Sequence, residues 1–154
     1  MKKFLFIGLF LALALMAVGE ARAQSISGSI GKGSVTRGGT TRANIVMDIP
    51  AGLHVNSRYP NSKYAIPTTV EVSASGVTLG GVSYPRGKNR KFSFSDETIN
   101  IYEGRVVFGF NVTVPKGFRG RTVQVRAKVR YQACTDEVCY APKTKEITLT
   151  ARVR

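Results

Sequence analysis

The clearest pattern in the chain is a strict alternation of apolar and polar residues between Arg121 and Ala133. A period of two places one face of a β-strand against a core and the other face in solvent. The inward positions are Val123, Val125, Ala127, Val129, Tyr131 and Ala133, and the outward ones are Thr122, Gln124, Arg126, Lys128, Arg130 and Gln132. The pattern predicts one long, half-buried antiparallel strand.

Shorter segments rich in Val, Ile, Thr and Tyr predict further strands, separated by turns that contain Gly and Pro. We expect these strands at residues 25–30, 41–49, 68–74, 105–114 and 145–153, with short pairing pieces near 53–55, 92–94 and 99–102. Many short strands at this spacing favour an all-β fold, an immunoglobulin-like β-sandwich.

The first 23 residues have the layout of a secretory signal peptide. Lys2 and Lys3 precede an apolar run over residues 4–18, and Ala21-Arg22-Ala23 supplies a cleavage site of the A-x-A type. The run is short for a membrane span, which needs about 20 residues, although an uncleaved N-terminal anchor stays an alternative. We therefore predict export and cleavage before Gln24.

The protein is strongly basic. Its formal net charge of +14 becomes +12 when Lys2, Lys3, Arg22 and Glu20 leave with the signal peptide, so that one domain over residues 24–154 remains. Such a charge favours acidic partners, anionic lipid or cell-wall polymers, or simply keeps the domain soluble. Export argues against nucleic acid as a partner, and we expect a monomer.

Two cysteines carry the candidate chemistry. Cys134 ends the long strand and Cys139 follows five residues later, so residues 135–138 form a predicted hairpin tip that brings the two sulfurs within bridging distance. A disulfide across so short a loop adds only about 2 kcal/mol of stability by chain entropy, and exposed disulfides are the labile ones. If the alternation continues to its end, Cys134 points to solvent. A working redox pair and a passive bond both remain open.

Other roles for the cysteines are weaker. Thioredoxin-type catalysts place C-x-x-C at a helix N-terminus, whereas here four residues separate the cysteines in a predicted hairpin. Zinc needs about four ligands, but the chain offers two cysteines and one histidine. Copper(I) on two soft thiolates stays an alternative. We expect no cofactor and no resident metal.

The segment around the cysteines resembles a known family. Residues 131–142, YQACTDEVCYAP, are similar to the redox hairpin of the N-terminal domain of DsbD, the thiol:disulfide interchange protein. Further similar segments are GLHVNS at 52–57, IPT at 66–68, Tyr84-Pro85, Phe92 to Phe94 and IYEG at 101–104. The resemblance covers roughly residues 45–153, although the cysteine spacing is one residue shorter than in some members.

The resemblance implies an immunoglobulin-like domain in the bacterial periplasm. Such a domain takes electrons from a membrane-embedded thiol reductase, here expected to be a separate protein. It passes them to periplasmic thioredoxin-like proteins that support disulfide isomerisation or cytochrome c maturation. By the family pattern, Cys139 joins the partner and Cys134 resolves the mixed disulfide.

The family pattern also implies a cap loop with an aromatic residue over the cysteines, here about residues 91–97. Phe94 is the first candidate for the cap and Phe92 the second, while a core role for either is the alternative. His54, the only histidine, is a candidate for proton transfer near the sulfurs, with a structural role favoured. Tyr140 is expected to pack beside the disulfide or to meet a partner.

Two functions follow from these observations. The first is a periplasmic thiol–disulfide carrier that acts through Cys134 and Cys139. The second is a non-redox sandwich that binds a protein or an envelope polymer through the basic row Arg126, Lys128 and Arg130, with a passive disulfide.

Overall fold

The computed structural model describes residues 24–154, so the predicted signal peptide lies outside the described residues. The described chain is all β. Its twelve strands are β1 Ser25–Ile30, β2 Ser34–Val35, β3 Thr40–Asp48, β4 His54–Asn56, β5 Thr69–Ser73, β6 Thr78–Leu79, β7 Lys88–Lys91, β8 Thr98–Tyr102, β9 Arg105–Thr113, β10 Thr122–Tyr131, β11 Ala133–Cys134 and β12 Lys143–Val153. Within residues 24–154, no helix is long and apolar enough to cross a bilayer.

Two four-stranded sheets form the body of the molecule. One has the order β1-β3-β9-β6 and the other β2-β12-β10-β5, with antiparallel pairing except between β2 and β12. Their inward side chains make one continuous core, which includes Ile45, Met47, Phe108, Phe110, Val125, Val129 and Tyr131. The immunoglobulin-like β-sandwich predicted from the sequence is confirmed.

A third, smaller sheet with the order β11-β4-β8-β7 carries the cysteine segment. It has its own small apolar cluster of Phe92, Ile99 and Ile101, with Ala65 packed against it. The β10–β12 ribbon connects this sheet to the rest of the body, because β10 leads directly into β11 and β12 follows the second cysteine. The cysteines therefore lie at one end of the sandwich.

The long strand is confirmed over Thr122–Tyr131, where exposed and buried residues alternate without exception. Its predicted extension to Ala133 is wrong, because the regular strand stops at Tyr131 and a new two-residue strand begins at Ala133. The predicted piece at residues 92–94 is also wrong. The chain pairs as β7 just before it, and Phe92 to Phe94 follow as a turn.

Candidate functional site

The two cysteines form a disulfide with an S–S distance of 2.04 Å and a Cα–Cα distance of 4.0 Å. They pair as an antiparallel bridge, so the hairpin predicted around them is present. Thr135 closes the tip, because its backbone N–H donates to the Val138 carbonyl at 2.8 Å and its hydroxyl accepts the N–H groups of Glu137 and Val138. The hairpin thus holds its shape through local hydrogen bonds as well as through the disulfide.

The two sulfur-bearing residues differ sharply in exposure. Cys134 is fully buried, while Cys139 is exposed. The expectation that Cys134 points to solvent is therefore wrong. The chain leaves the alternation at Gln132, and β11 then pairs with β4, so that Ala133 lies opposite Val55 and Cys134 lies opposite His54. Only Cys139 is open to a partner in this arrangement.

Gln132 anchors the point at which the strand breaks. Its side-chain oxygen accepts hydrogen bonds from Asn56 Nδ2 at 3.2 Å and from the Ile66 backbone N–H at 3.4 Å. Its side-chain amide donates to the Tyr140 carbonyl at 3.2 Å. One side chain therefore ties the entry of the hairpin, its exit and strand β4 together. Sequence reasoning assigned Gln132 only to the outward face of the strand and missed this role.

Three aromatic rings stack beside the hairpin. The imidazole of His54 lies on Phe92 with ring centroids 4.6 Å apart, and Phe92 lies on Phe94 at 5.1 Å. His54 and Phe92 are buried, whereas Phe94 is 47% exposed. The core role weighed for either phenylalanine therefore fits Phe92, and Phe94 is the outermost ring of the stack. Tyr140 is half exposed, next to Cys139 in the chain.

Arg90 is a charged residue of the site that sequence reasoning missed. Its guanidinium bonds Glu103 Oε1 at 2.5 Å and reaches both carboxylate oxygens of Asp136, at 3.2 and 3.3 Å. It also lies 5.0 Å from the centre of the Phe92 ring. Asp136 is at the hairpin tip between the cysteines, so Arg90 connects the tip with the aromatic stack. The bond to Glu103 is the main cause that raises the pKa of Arg90.

The sequence could not reveal Arg90, because 46 residues separate it from Asp136 and the stretch around it shows no pattern. The charge of Arg90 also affects how well the hairpin tolerates a cysteine thiolate. Asp136 disfavours a thiolate beside it, but Arg90 neutralises part of that carboxylate charge. Arg130 and Lys143, the basic residues nearest the cysteines in the sequence, are exposed on the paired ends of β10 and β12.

A cleft of about 490 Å³ opens beside the exposed sulfur. Cys139 and Phe94 line it together, with Tyr64 and the acidic pair Asp96 and Glu97 on its wall. Tyr64 is 80% exposed, so the cleft has an accessible aromatic rim. The cleft gives a partner segment a place to lie in contact with Cys139.

Comparison with known proteins identifies the family. A family model described as the N-terminal region of the thiol:disulfide interchange protein DsbD matches residues 28–151. The chain belongs to this family. No curated protein matches the chain.

Two of the solved structures with similar folds are N-terminal domains, one of DsbD and one of ScsB. The Neisseria meningitidis DsbD N-terminal domain in its reduced form is 18% identical, with 71% of this chain and 77% of that chain covered and a TM-score of 0.47. The N-terminal periplasmic domain of ScsB from Proteus mirabilis is 11% identical, covering 84% and 45%, with a TM-score of 0.48. The yeast GGA1 GAE domain is 12% identical, covering 86% and 95%, with a TM-score of 0.46.

As a member of the DsbD N-terminal domain family, the chain carries a disulfide pair as its candidate site. Among residues 24–154, no group of three or more His, Cys, Asp or Glu side chains is placed to hold a metal ion. His54 lies across from Cys134 on the neighbouring strand. Burial lowers the pKa of His54 from its usual 6.5, and the Arg90 charge lowers it further against the opposing carboxylates of Asp136 and Glu103.

The Arg90–Asp136 ion pair predicts how charge at the tip affects the reduced site. In Arg90→Gln the Asp136 carboxylate is uncompensated, so we expect iodoacetamide to alkylate Cys139 about two- to fivefold more slowly at neutral pH, since the thiolate is the reactive form. Asp136→Asn should speed alkylation, and the double variant should return close to the wild-type rate.

Lys128→Gln is the matched control, because Lys128 makes a comparable exposed ion pair with Glu146, 3.4 Å away, on the outer face of the sheet. It should leave the alkylation rate unchanged. Equal rates in Arg90→Gln and Lys128→Gln would contradict an electrostatic role for Arg90.

The lowered pKa of His54 leads us to expect that the stability of the fold depends on pH. Because the folded protein lowers the pKa of His54, the unfolded chain binds a proton at 6.5 before the folded one does. The free energy of unfolding should therefore be fully retained above pH 6.5 and should fall as the pH drops below it. Urea unfolding of the wild type at pH 7.5, 6.5 and 5.5 tests this prediction. The control variant His54→Phe keeps an aromatic ring in the stack but should lose the decline in unfolding free energy below pH 6.5. If the unfolding free energy of His54→Phe declined equally steeply as the pH falls, the pH dependence would belong to other groups.

Proposed function

We propose that this protein relays electrons by thiol–disulfide exchange through Cys134 and Cys139. The observation that carries the proposal is the unequal exposure of the bonded pair, with Cys139 in an accessible cleft and Cys134 buried behind it. A passive bond gains nothing from this arrangement, whereas exchange requires one sulfur to be attacked and the other to be protected.

The reduction step follows from the geometry. A partner thiolate attacks the Cys139 sulfur, the Cys134–Cys139 bond breaks, and Cys134 leaves as a thiolate that takes up a proton. The second thiol of the partner then attacks the mixed disulfide and releases Cys139. The partner ends as a disulfide and the domain as a dithiol, so two electrons and two protons have moved.

Electron delivery is the reverse of this sequence. The Cys139 thiolate attacks the disulfide of an acceptor, and Cys134, bonded to Cys139 in the oxidised form, resolves the mixed disulfide. We assign the electron donor to a membrane-embedded thiol reductase and the acceptors to periplasmic thioredoxin-like proteins. The periplasmic location rests on the family and on the predicted signal peptide.

Phe94 is proposed as the cap of this site. It lines the same cleft as Cys139, and its ring rests on Phe92, which in turn rests on His54. The buried rings support the outer one, so Phe94 can narrow the approach of small thiols to the disulfide until a partner displaces it. His54 acts as the base of the stack, and its lowered pKa, caused mainly by burial, favours the neutral imidazole. Tyr140 adds apolar surface beside Cys139 for a partner.

The proposed function predicts an unequal result for the two single-cysteine variants. Cys134→Ala leaves the exposed sulfur and should accumulate mixed disulfides with partners in the periplasm, visible on non-reducing gels. Cys139→Ala leaves only the buried sulfur and should trap few or none. Adducts of equal yield in both variants would overturn the assignment of Cys139 as the attacked sulfur.

A redox titration separates exchange from a passive bond. The purified protein is equilibrated with glutathione or dithiothreitol buffers, and its free thiols are counted. We expect reduction within the range of working disulfides. A bond that persists until far below about −300 mV is a structural one. That result would contradict the proposal and favour the non-redox binding module.

We expect the disulfide to react faster with small reagents when the proposed cap is removed. In Phe94→Ala the sulfur of Cys139 loses its apolar cover, so dithiothreitol should reduce the disulfide several-fold faster while the equilibrium potential stays nearly constant. Tyr59→Ala is the control, because Tyr59 is 74% exposed and lies outside the cleft lining. A rate unchanged in Phe94→Ala, or raised equally in Tyr59→Ala, would remove Phe94 from the cap role.

A further inference from the structure

Seven basic side chains gather at the end of the sandwich opposite the disulfide. They come from four segments, the turn at residues 31–33, the turn at 36–39, the loop at 115–121 and the last residues of β12. All seven are exposed: Lys32, Arg37, Lys116, Arg119, Arg121, Arg152 and Arg154. We call this set the basic end.

Backbone contacts hold the four segments together. The Arg37 N–H donates to the Arg154 carbonyl at 2.9 Å, and the Arg152 N–H donates to the Gly33 carbonyl at 2.9 Å. The Val153 N–H donates to the Arg121 carbonyl, also at 2.9 Å. Arg37 adds a side-chain bond from Nε to the Phe118 carbonyl at 2.8 Å, which fixes the loop at 115–121. The charges therefore form one fixed surface.

The basic end carries no acidic side chain. None of its four segments contains Asp or Glu, and none of the ion pairs within residues 24–154 involves its side chains. The nearest acidic side chain along β12 is that of Glu146, six residues before Arg152, which corresponds to about 20 Å of strand. The surface potential at this end is therefore strongly positive.

The acids lie at the other end of the molecule. Of the nine Asp and Glu residues in the whole chain, five lie around the cysteine hairpin and its cleft, namely Asp96, Glu97, Glu103, Asp136 and Glu137. The register of β10 with β12 fixes the polarity, because Thr122 pairs with Arg152 at one end and Tyr131 with Lys143 at the other. The hairpin end also carries basic side chains, among them Lys88, Arg90 and Lys91 of β7, but there they lie among carboxylates. The uncompensated positive charge is therefore concentrated at the basic end.

We propose that the basic end binds the anionic headgroups of a phospholipid bilayer and holds the domain upright, with the disulfide hairpin facing away from the membrane. A cluster of Lys and Arg is drawn to an anionic lipid surface, and each such side chain strengthens the binding about fivefold. This inference rests on the proposed function, which places the domain beside a membrane. The binding has to be reversible, because a membrane-embedded donor can reach the hairpin only after the domain leaves the lipid. The ten residues of β10 then place the exchange site about 30 Å above the lipid, where soluble thioredoxin-like partners can reach it.

Vesicle sedimentation at low salt tests the binding. Protein that begins at Gln24, and so holds every described strand, should bind phosphatidylcholine vesicles that contain phosphatidylglycerol, and should bind pure phosphatidylcholine weakly. The triple variant Lys116→Gln, Arg119→Gln and Arg121→Gln should weaken binding at least about tenfold. The control variant Lys63→Gln, Arg86→Gln and Lys143→Gln loses the same charge from exposed positions away from the basic end and should bind nearly as wild type does.

Fluorescence resonance energy transfer from an introduced Trp can test the orientation of the bound domain, because the chain contains no Trp of its own. Gly117→Trp places a donor at the basic end, where an added side chain meets nothing within 4 Å, and Val138→Trp places one at the exposed hairpin tip. Transfer to dansyl-labelled headgroups should be strong from position 117 and weak from position 138.

Three results would overturn the proposal. They are failure to bind anionic vesicles, equal loss of binding in both triple variants, and transfer from position 138 as strong as from 117. Binding to soluble polyphosphate without binding to vesicles would assign the basic end to a polymer instead. Circular dichroism and thermal unfolding of each variant establish that the fold is intact.

Discussion

The site depends on one change of strand partner. Through Tyr131 the chain is a regular strand between β5 and β12, but after Gln132 it pairs with β4 in a different sheet. This change turns Cys134 inward against His54, and the hairpin that follows brings Cys139 back on the outside. A continuous strand would have put Cys134 in solvent beside Arg130. The unequal exposure of the two sulfurs comes from this single break.

Polar contacts make the break stable. A chain that leaves a sheet exposes backbone groups whose hydrogen bonds must be replaced. Gln132 makes three side-chain hydrogen bonds at the break, with the Asn56 amide, the Ile66 N–H and the Tyr140 carbonyl, and the last two satisfy backbone groups of neighbouring segments. Arg90 secures the far side by pairing with Asp136 at the tip. An exposed ion pair contributes little stability on its own, so its main effect is on the position and charge of the tip.

The sequence predicted the features that rest on local patterns and missed those that rest on distant contacts. Period-two alternation gave β10 correctly because its inward side chains all face one core. The same rule failed at Cys134, since nothing in the local pattern marks a change of pairing partner. Phe92 and Phe94 share a parity, yet one is buried and the other exposed because a turn, not a strand, carries them. Arg90 acts through carboxylates 13 and 46 residues away, which one sequence cannot reveal.

The stack of His54, Phe92 and Phe94 would suit the small third sheet to the proposed exchange. A cap must cover the sulfur and still be able to move, so its outer ring has to be weakly held while its support stays fixed. Here two buried rings provide the support, and only the half-exposed Phe94 has to be displaced. Displacing that ring disturbs no strand of the β-sandwich, because the cap segment lies between β7 and β8 at the edge of the third sheet. On this proposal, moving Phe94 would widen the approach to Cys139 at small conformational cost and leave the core intact.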